Sequence, residues 1–382
     1  MTQILVDGKV KSVEIRVTTT GGAGVSTGNT TSDQIVGQIL DVSVVWHASA
    51  PGTSDITVEG SLSGLDLYAK ANAVTSVKKS IGVFPTDPTS ATGAALTGAL
   101  IDFPVCIAEP IKVTVAQCDD LTNAAIVRVT YREVFAEKVQ VTTAGGAGVA
   151  AGAATSKPIT GQILGIGLDY HASAPGTTDI TITGAVTGRQ LYAKTNSVTD
   201  VFVVPAVHSV DSAGSALASD ITPRLVCVGE GVTVTLAQAD ALTNCVQAYI
   251  FYRPVACETV YVTTSGSAGS ATGNATTLAS QGEILGIGFD YHASAPGTTD
   301  ITVAEVAEDA NHTSASIYAK ANSVTDVYIA PARYAVTNAD AALTSDVTPR
   351  TYLFGKPVRV SLAQCDALTN AVKAQIFTRL GS

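Results

Sequence analysis

His47, Ser49 and Asp55 lie within nine residues of one another, in the phrase His-Ala-Ser-Ala-Pro-Gly-Thr-Ser-Asp. These are the residue types of a nucleophilic triad, in which a carboxylate orients an imidazole and the imidazole takes the proton of an attacking hydroxyl. A triad also needs its three groups to converge from well-placed elements beside an oxyanion hole. Here all three flank one Pro-Gly turn, so the group reads as structural. The aspartate at the strand start accepts hydrogen bonds from turn amides, and the histidine or serine caps the other side. The phrase recurs around His171 and His292. A metal shared by His47, His171 and His292 would require the three segments to ring one axis, each giving a single ligand, whereas imidazole sites draw on more neighbouring ligands. No catalytic residue, cofactor site or metal site is assigned, and the chain is read as no enzyme.

Three glycine-rich stretches, Gly21-Gly22-Ala23-Gly24, Gly145-Gly146-Ala147-Gly148 and Gly266-Ser267-Ala268-Gly269, suggest a phosphate cradle. They lack the Lys-Ser/Thr that closes a P-loop, miss the dinucleotide spacing and have no helix-forming sequence behind them, so they read as flexible or bulged loops between strands. Of the six cysteines, Cys106 matches Cys227 and Cys118 matches Cys365 between copies, while Leu353 and Ala239 hold the remaining equivalent positions. Thiols interchangeable with small apolar residues behave as core hydrophobes. Disulfides are not expected, the pair left open being Cys106 with Cys118 facing each other across neighbouring strands. The Asn-x-Thr/Ser sequons at Asn29, Asn274 and Asn311 follow from a Thr-rich composition.

The elements that carry these groups repeat. Phrases at Trp46–Val58, Tyr170–Ile182 and Tyr291–Val303 share a pattern, and their histidines lie 124 and 121 positions apart. Leu67-Tyr68-Ala69-Lys70 returns at Leu191–Lys194 and Ile317–Lys320, and Ala116–Asn123 returns at Ala237–Asn244 and Ala363–Asn370, always in the same order. Such a period is too long for a solenoid, whose repeats run roughly 20–50 residues, and suits tandem whole domains. The expected division is 1–133, 134–254 and 255–382. The third copy carries five extra residues, expected within Ala304–Ser316.

Within a copy the apolar period is two. Leu164, Ile166, Leu168 and Tyr170 alternate with Gly165, Gly167, Asp169 and His171, which predicts a strand with one buried face and His171 pointing away from it. Val13, Ile15 and Val17 open the first copy as Val139 and Val141 open the second and Val260 and Val262 the third. Further strands are predicted at Val201–Val204, Arg224–Val228, Val232–Gln238 and Val246–Arg253. Pro51-Gly52, Pro175-Gly176 and Pro296-Gly297 match the centre of type II turns. Seven or eight short strands in ~120 residues indicate an all-β fold, an antiparallel β-sandwich of jelly-roll-like character, in three tandem copies.

Composition narrows the function classes. The 382 residues are 46% hydrophobic and 14% charged, with 34 glycines and one tryptophan, which excludes charge-driven disorder and disfavours long helices. A formal charge of −10 repels a phosphate backbone, so nucleic acid is not an expected partner. The long uncharged stretch Val139–Ser156 is broken by Thr and Gly, and no basic leader precedes an apolar core at the N-terminus. These features predict a soluble protein made in the cytoplasm, without membrane contact.

The run Asp179–Gly184, the strand that ends at Pro205 with Pro85 and Pro331 in register, and the closing Val232–Gln238 with its Thr-Asn hairpin resemble small β-sandwich proteins of tailed-bacteriophage virions, among them capsid decoration and cement proteins. That resemblance covers most of each copy. It implies a non-enzymatic virion structural protein on the outer capsid surface, partnered by the major capsid protein or another virion lattice protein, with self-association open and with no cofactor. Those relatives have one domain, so three fused copies depart from their pattern. The alternatives are a cell-surface or appendage adhesion protein, or a carbohydrate-binding module. Trp46 has no match in the other copies, which argues against a sugar-stacking platform.

Overall fold

A computed structural model describes residues 8–72, 74–88, 90, 94–96, 99, 102–213, 215, 217, 223–278, 281–306, 316–333 and 350–379. The chain is all-β: every regular element among the described residues is a strand, and the sheets are built from antiparallel ladders. No helix among them is long and apolar enough to cross a membrane.

The alternation read from the sequence sets the register. In the second copy the opening strand Phe135–Val141 pairs with Val246–Pro254, which pairs with Ile159–Tyr170, which receives Val201–Val203 at its far edge. A second sheet runs Ala150–Thr155, Val232–Ala239, Asp179–Gly184, Gln190–Lys194. Ile166, Leu168 and Ile250 from the first sheet meet Ile180, Ile182, Val234 and Leu236 from the second in one buried cluster, which makes the pair of sheets a sandwich. The third copy repeats both sheets.

In the first copy the same strands join into one sheet, because Ser26–Trp46 and Cys106–Cys118 run continuously from one layer to the other. The second copy is interrupted where Pro158 removes a ladder donor and where Gly231 stands between Cys227–Glu230 and Val232–Ala239. Each copy bulges at the same place in the glycine-rich strand, between Ser26/Gly28, Ala150/Gly152 and Ala271/Gly273.

Three readings are corrected. The Pro-Gly turns are not type II: Gly52, Gly176 and Gly297 do not take positive φ, and each proline carbonyl instead accepts the amide three residues on, as in Ser54 N–H to Pro51 O at 2.9 Å. Cys106 and Cys118 do not face each other, since they begin and end one 13-residue strand. Pro85 is not in register with Pro205 and Pro331. Those two lie four residues past Val201 and Val327, whereas four past the equivalent Val77 is Ile81. The five-residue insertion of the third copy falls on 307–315, outside the described residues.

The buried clusters cross the copy boundaries. Leu164, Phe202, Val204, Leu225 and Phe251 pack into the cluster of the first copy, and Leu285, Tyr328 and Phe377 into that of the second. Neighbouring copies are joined by short parallel pairings, the exception in an otherwise antiparallel fold. Thr86 bridges Pro205, with Thr86 N–H to Val204 O at 2.7 Å, and Ser209–Val210 pairs with Ala330–Pro331.

Candidate functional site: the repeated loop ends and the cleft between copies

The histidine phrases form a braced loop end three times over. His47, His171 and His292 are exposed, as the alternation requires. In each, imidazole Nδ1 accepts the backbone N–H two residues on, from Ser49, Ser173 and Ser294, all at 3.1 Å. The aspartate turns elsewhere. Asp55 Oδ1 accepts Asn72 N–H at 2.9 Å and its Oδ2 accepts the Gln117 side-chain amide at 2.8 Å. Asp179 does the same with Asn196 and Gln238, and Asp300 with Asn322 and Gln364. Thus histidine and aspartate are brought near in sequence but do not share a hydrogen bond of the triad kind. The aspartate braces another loop rather than its own turn.

Asn72 and Gln117 are the residues that sequence reading missed. Both hold left-handed backbone, φ 51° and 52°, as do Asn196, Gln238, Asn322 and Gln364. A non-glycine residue there costs of order 1 kcal/mol and persists only where neighbours over-determine it. The carboxylate supplies that determination by holding the Asn amide and the Gln side chain together. The visible signal was the unbroken recurrence of Asn and Gln in the Tyr-Ala-Lys and Ala-Gln phrases.

The glycine-rich stretches are pinned turns. Gly24 N–H donates to Asp119 Oδ1, Gly148 N–H to Asp240 Oδ1 and Gly269 N–H to Asp366 Oδ1, each at 2.7 Å. Their amides are used by a carboxylate of the same chain, which leaves no phosphate cradle. All six cysteines are free thiols and five are buried. Burial pushes the Cys257 thiol up to about 11 and Cys227 up to about 12, so neither is a thiolate nucleophile near neutral pH. Among the described residues no group of three or more His, Cys, Asp or Glu is placed to hold a metal ion.

A cleft opens where the first and second copies meet, lined by Leu62, Leu65, Cys106, Tyr249, Asp169 and Asp200 among others. Burial pushes the Asp169 carboxyl up to about 6, the carboxylates of Asp200 and Glu109 push the same way, and Lys138 opposes them. Burial also raises Asp200, against the Tyr170 N–H that it accepts at 2.7 Å. Glu109, buried in the cleft wall, is fully occupied: its oxygens accept Leu62 N–H, Ser63 N–H and the Ser63 hydroxyl. Glu230 makes the same three bonds at the next junction.

No protein-family model matches the chain, and no curated protein matches it. Among solved structures, it is similar to the major capsid protein P2 of bacteriophage PM2, at 10% identity over 63% of this chain and 96% of that one, with a TM-score of 0.20. It is also similar to an archaeal virus protein with a triple jelly roll, at 10% identity over 97% and 89% of the two chains and a TM-score of 0.17. A third similarity is to VP2 of infectious bursal disease virus, at 11% identity over 92% and 73% and a TM-score of 0.16. All three are viral proteins.

Proposed function

We propose that the chain is a non-enzymatic structural protein of a virion, a decoration or cement protein that binds the major capsid protein on the outer surface of a phage head and stabilises the shell. Its domains are residues 1–133, 134–254 and 255–382, each a site-bearing unit. The observation that carries this reading is the joint between copies. The Thr86–Pro205 bridge and the Ser209–Val210 pairing with Ala330–Pro331 hold three similar bodies at a fixed spacing. A rigid row of similar surfaces suits a partner that itself repeats, because the second and third contacts form at high effective concentration once the first is made. The phosphate-cradle and triad readings are disfavoured by the Asp119–Gly24 and Asp55–Asn72 bonds, which use those groups internally.

The test is co-sedimentation of the full chain with intact phage heads, alongside the heads' thermal disruption temperature. The expected result is saturable binding and a raised disruption temperature. A chain that stays in the supernatant with every head preparation of its host's phages overturns the proposal.

A further inference from the structure

The joint between copies is built from one three-residue plug. In the second copy Phe202 lies directly against Gly165, where a Cβ would collide with its ring, and its ring centroid is 6.1 Å from that of Phe251. In the third copy Tyr328 lies against Gly286, 6.2 Å from Phe377. These positions are equivalent by register: Gly165 pairs with Phe251 as Gly286 pairs with Phe377, and Gly167 pairs with Phe202 as Gly288 pairs with Tyr328. Both aromatics are covered by the preceding copy, at 5% and 7% exposure, and the Arg189 guanidinium of the second copy lies 4.9 Å from the Tyr328 ring.

The same register puts Asp41, Lys78 and Thr130 at those positions of the first copy, since Asp41 pairs with Thr130 and Ser43 with Lys78. The plug is replaced by an ion pair. Lys78 Nζ lies 3.4 Å from Asp41 Oδ2, and the lysine side chain is 70% exposed. Lys79, also exposed, stands where Val203 and Ile329 are buried.

We propose that Asp41, Lys78 and Thr130 form a built-in cap that ends the row at its first copy, so that the protein is an open head-to-tail array of three which neither closes into a ring nor grows into a filament. A head-to-tail interface either closes on itself or propagates unless one end is made incompatible. Seating another copy on this face would bury Lys78 and Asp41, and the desolvation of that pair opposes docking where an aromatic over a glycine favours it. Lysines on an exposed edge strand act in the same sense. Solenoid arrays need polar terminal units for this reason. The inference does not depend on what surface the row lies upon.

Two full-chain variants test it, with folding followed by circular dichroism and assembly by sedimentation equilibrium. The wild type is expected to remain monomeric from micromolar to millimolar concentration. D41G/K78F/T130F transplants the plug into the first copy and is expected to form concentration-dependent head-to-tail oligomers. Adding L353K is expected to return it to monomer, because Leu353, 72% exposed, occupies the position at which Cys106 and Cys227 are buried in the joints. The reciprocal variant G165D/F202K/F251T transplants the cap into the first joint. It is expected to raise the radius of gyration in X-ray scattering and to admit protease between the first two copies. A folded plug variant that stays monomeric, a wild type that self-assembles, or a reciprocal variant as compact as the wild type overturns the proposal.

Discussion

The hydroxyl of Tyr170 meets that of Ser197 at 3.0 Å inside the second copy, and Tyr291 repeats the bond with Ser323 at the same distance in the third. Trp46 fills the equivalent place in the first, by its pairing with Ala125. Because Ser197 is 1% exposed, Tyr170→Phe leaves its hydroxyl without this partner and is expected to cost roughly 1–3 kcal/mol. A lower urea midpoint at unchanged m-value checks it.

Asp169 makes stability depend on pH in a direction opposite to that of most carboxylates. Its folded-state pKa of about 6 lies above the ordinary 3.8, so between those values the folded chain holds a proton that the unfolded chain has released. This contribution is fully present below about pH 3.8 and is lost as pH rises through about 6. Asp169→Asn is expected to stabilise the protein at pH 7 and to leave it little changed near pH 4. The difference between the two melting-temperature profiles is the measurement.

Glu230 is 4% exposed and accepts Val186 N–H, Thr187 N–H and the Thr187 hydroxyl. Replacing it with Ala strips three donors of their acceptor, at an expected cost of about 3 kcal/mol. Glu230→Gln restores part of that bonding and is expected to lose less. Denaturant unfolding ranks the two.

His171→Ala is expected to leave thermal stability within error, and chelator treatment not to change it. The imidazole accepts one local amide at an exposed turn. A stoichiometric metal in elemental analysis, lost in the variant, would contradict this.

Asp179→Ala, by contrast, releases Asn196 and Gln238 from left-handed backbone. The expected loss is about 1 kcal/mol, with faster hydrogen exchange at the Asn196 amide as the local readout.

Strand positions were legible from alternation, but the faces only in part: the bulge between Ile163 and Gly165 turns Leu164, expected beside Ile166, into the cluster of the preceding copy. Ile166 and Leu168 lie in the core, while Gly167 and Asp169 of the same strand lie toward the junction with the preceding copy. The predicted strand at Val246–Arg253 is observed as Val246–Pro254, and Val232–Gln238 as Val232–Ala239. The recurrence of whole phrases likewise announced that equivalent residues would do equivalent work, as the three Asp-Asn-Gln braces do.

Alternation says nothing about partners distant in the chain, and there the tertiary structure decided. Asp55 braces Asn72 and Gln117, 17 and 62 positions away, rather than its own turn. Cys106 and Cys118 share a strand because that strand runs on through Pro110, whereas Cys227–Glu230 and Val232–Ala239 are separate strands on either side of Gly231. The alignment of Pro85 with Pro205 failed because identical residues can occupy different rungs, and only pairing to a neighbouring strand fixes the rung. Above all, the role of Lys78 required the fold. In sequence it is one lysine in a polar stretch, and only the register that sets it opposite Ser43, where Phe202 faces Gly167, reveals it as the substitute for a buried aromatic.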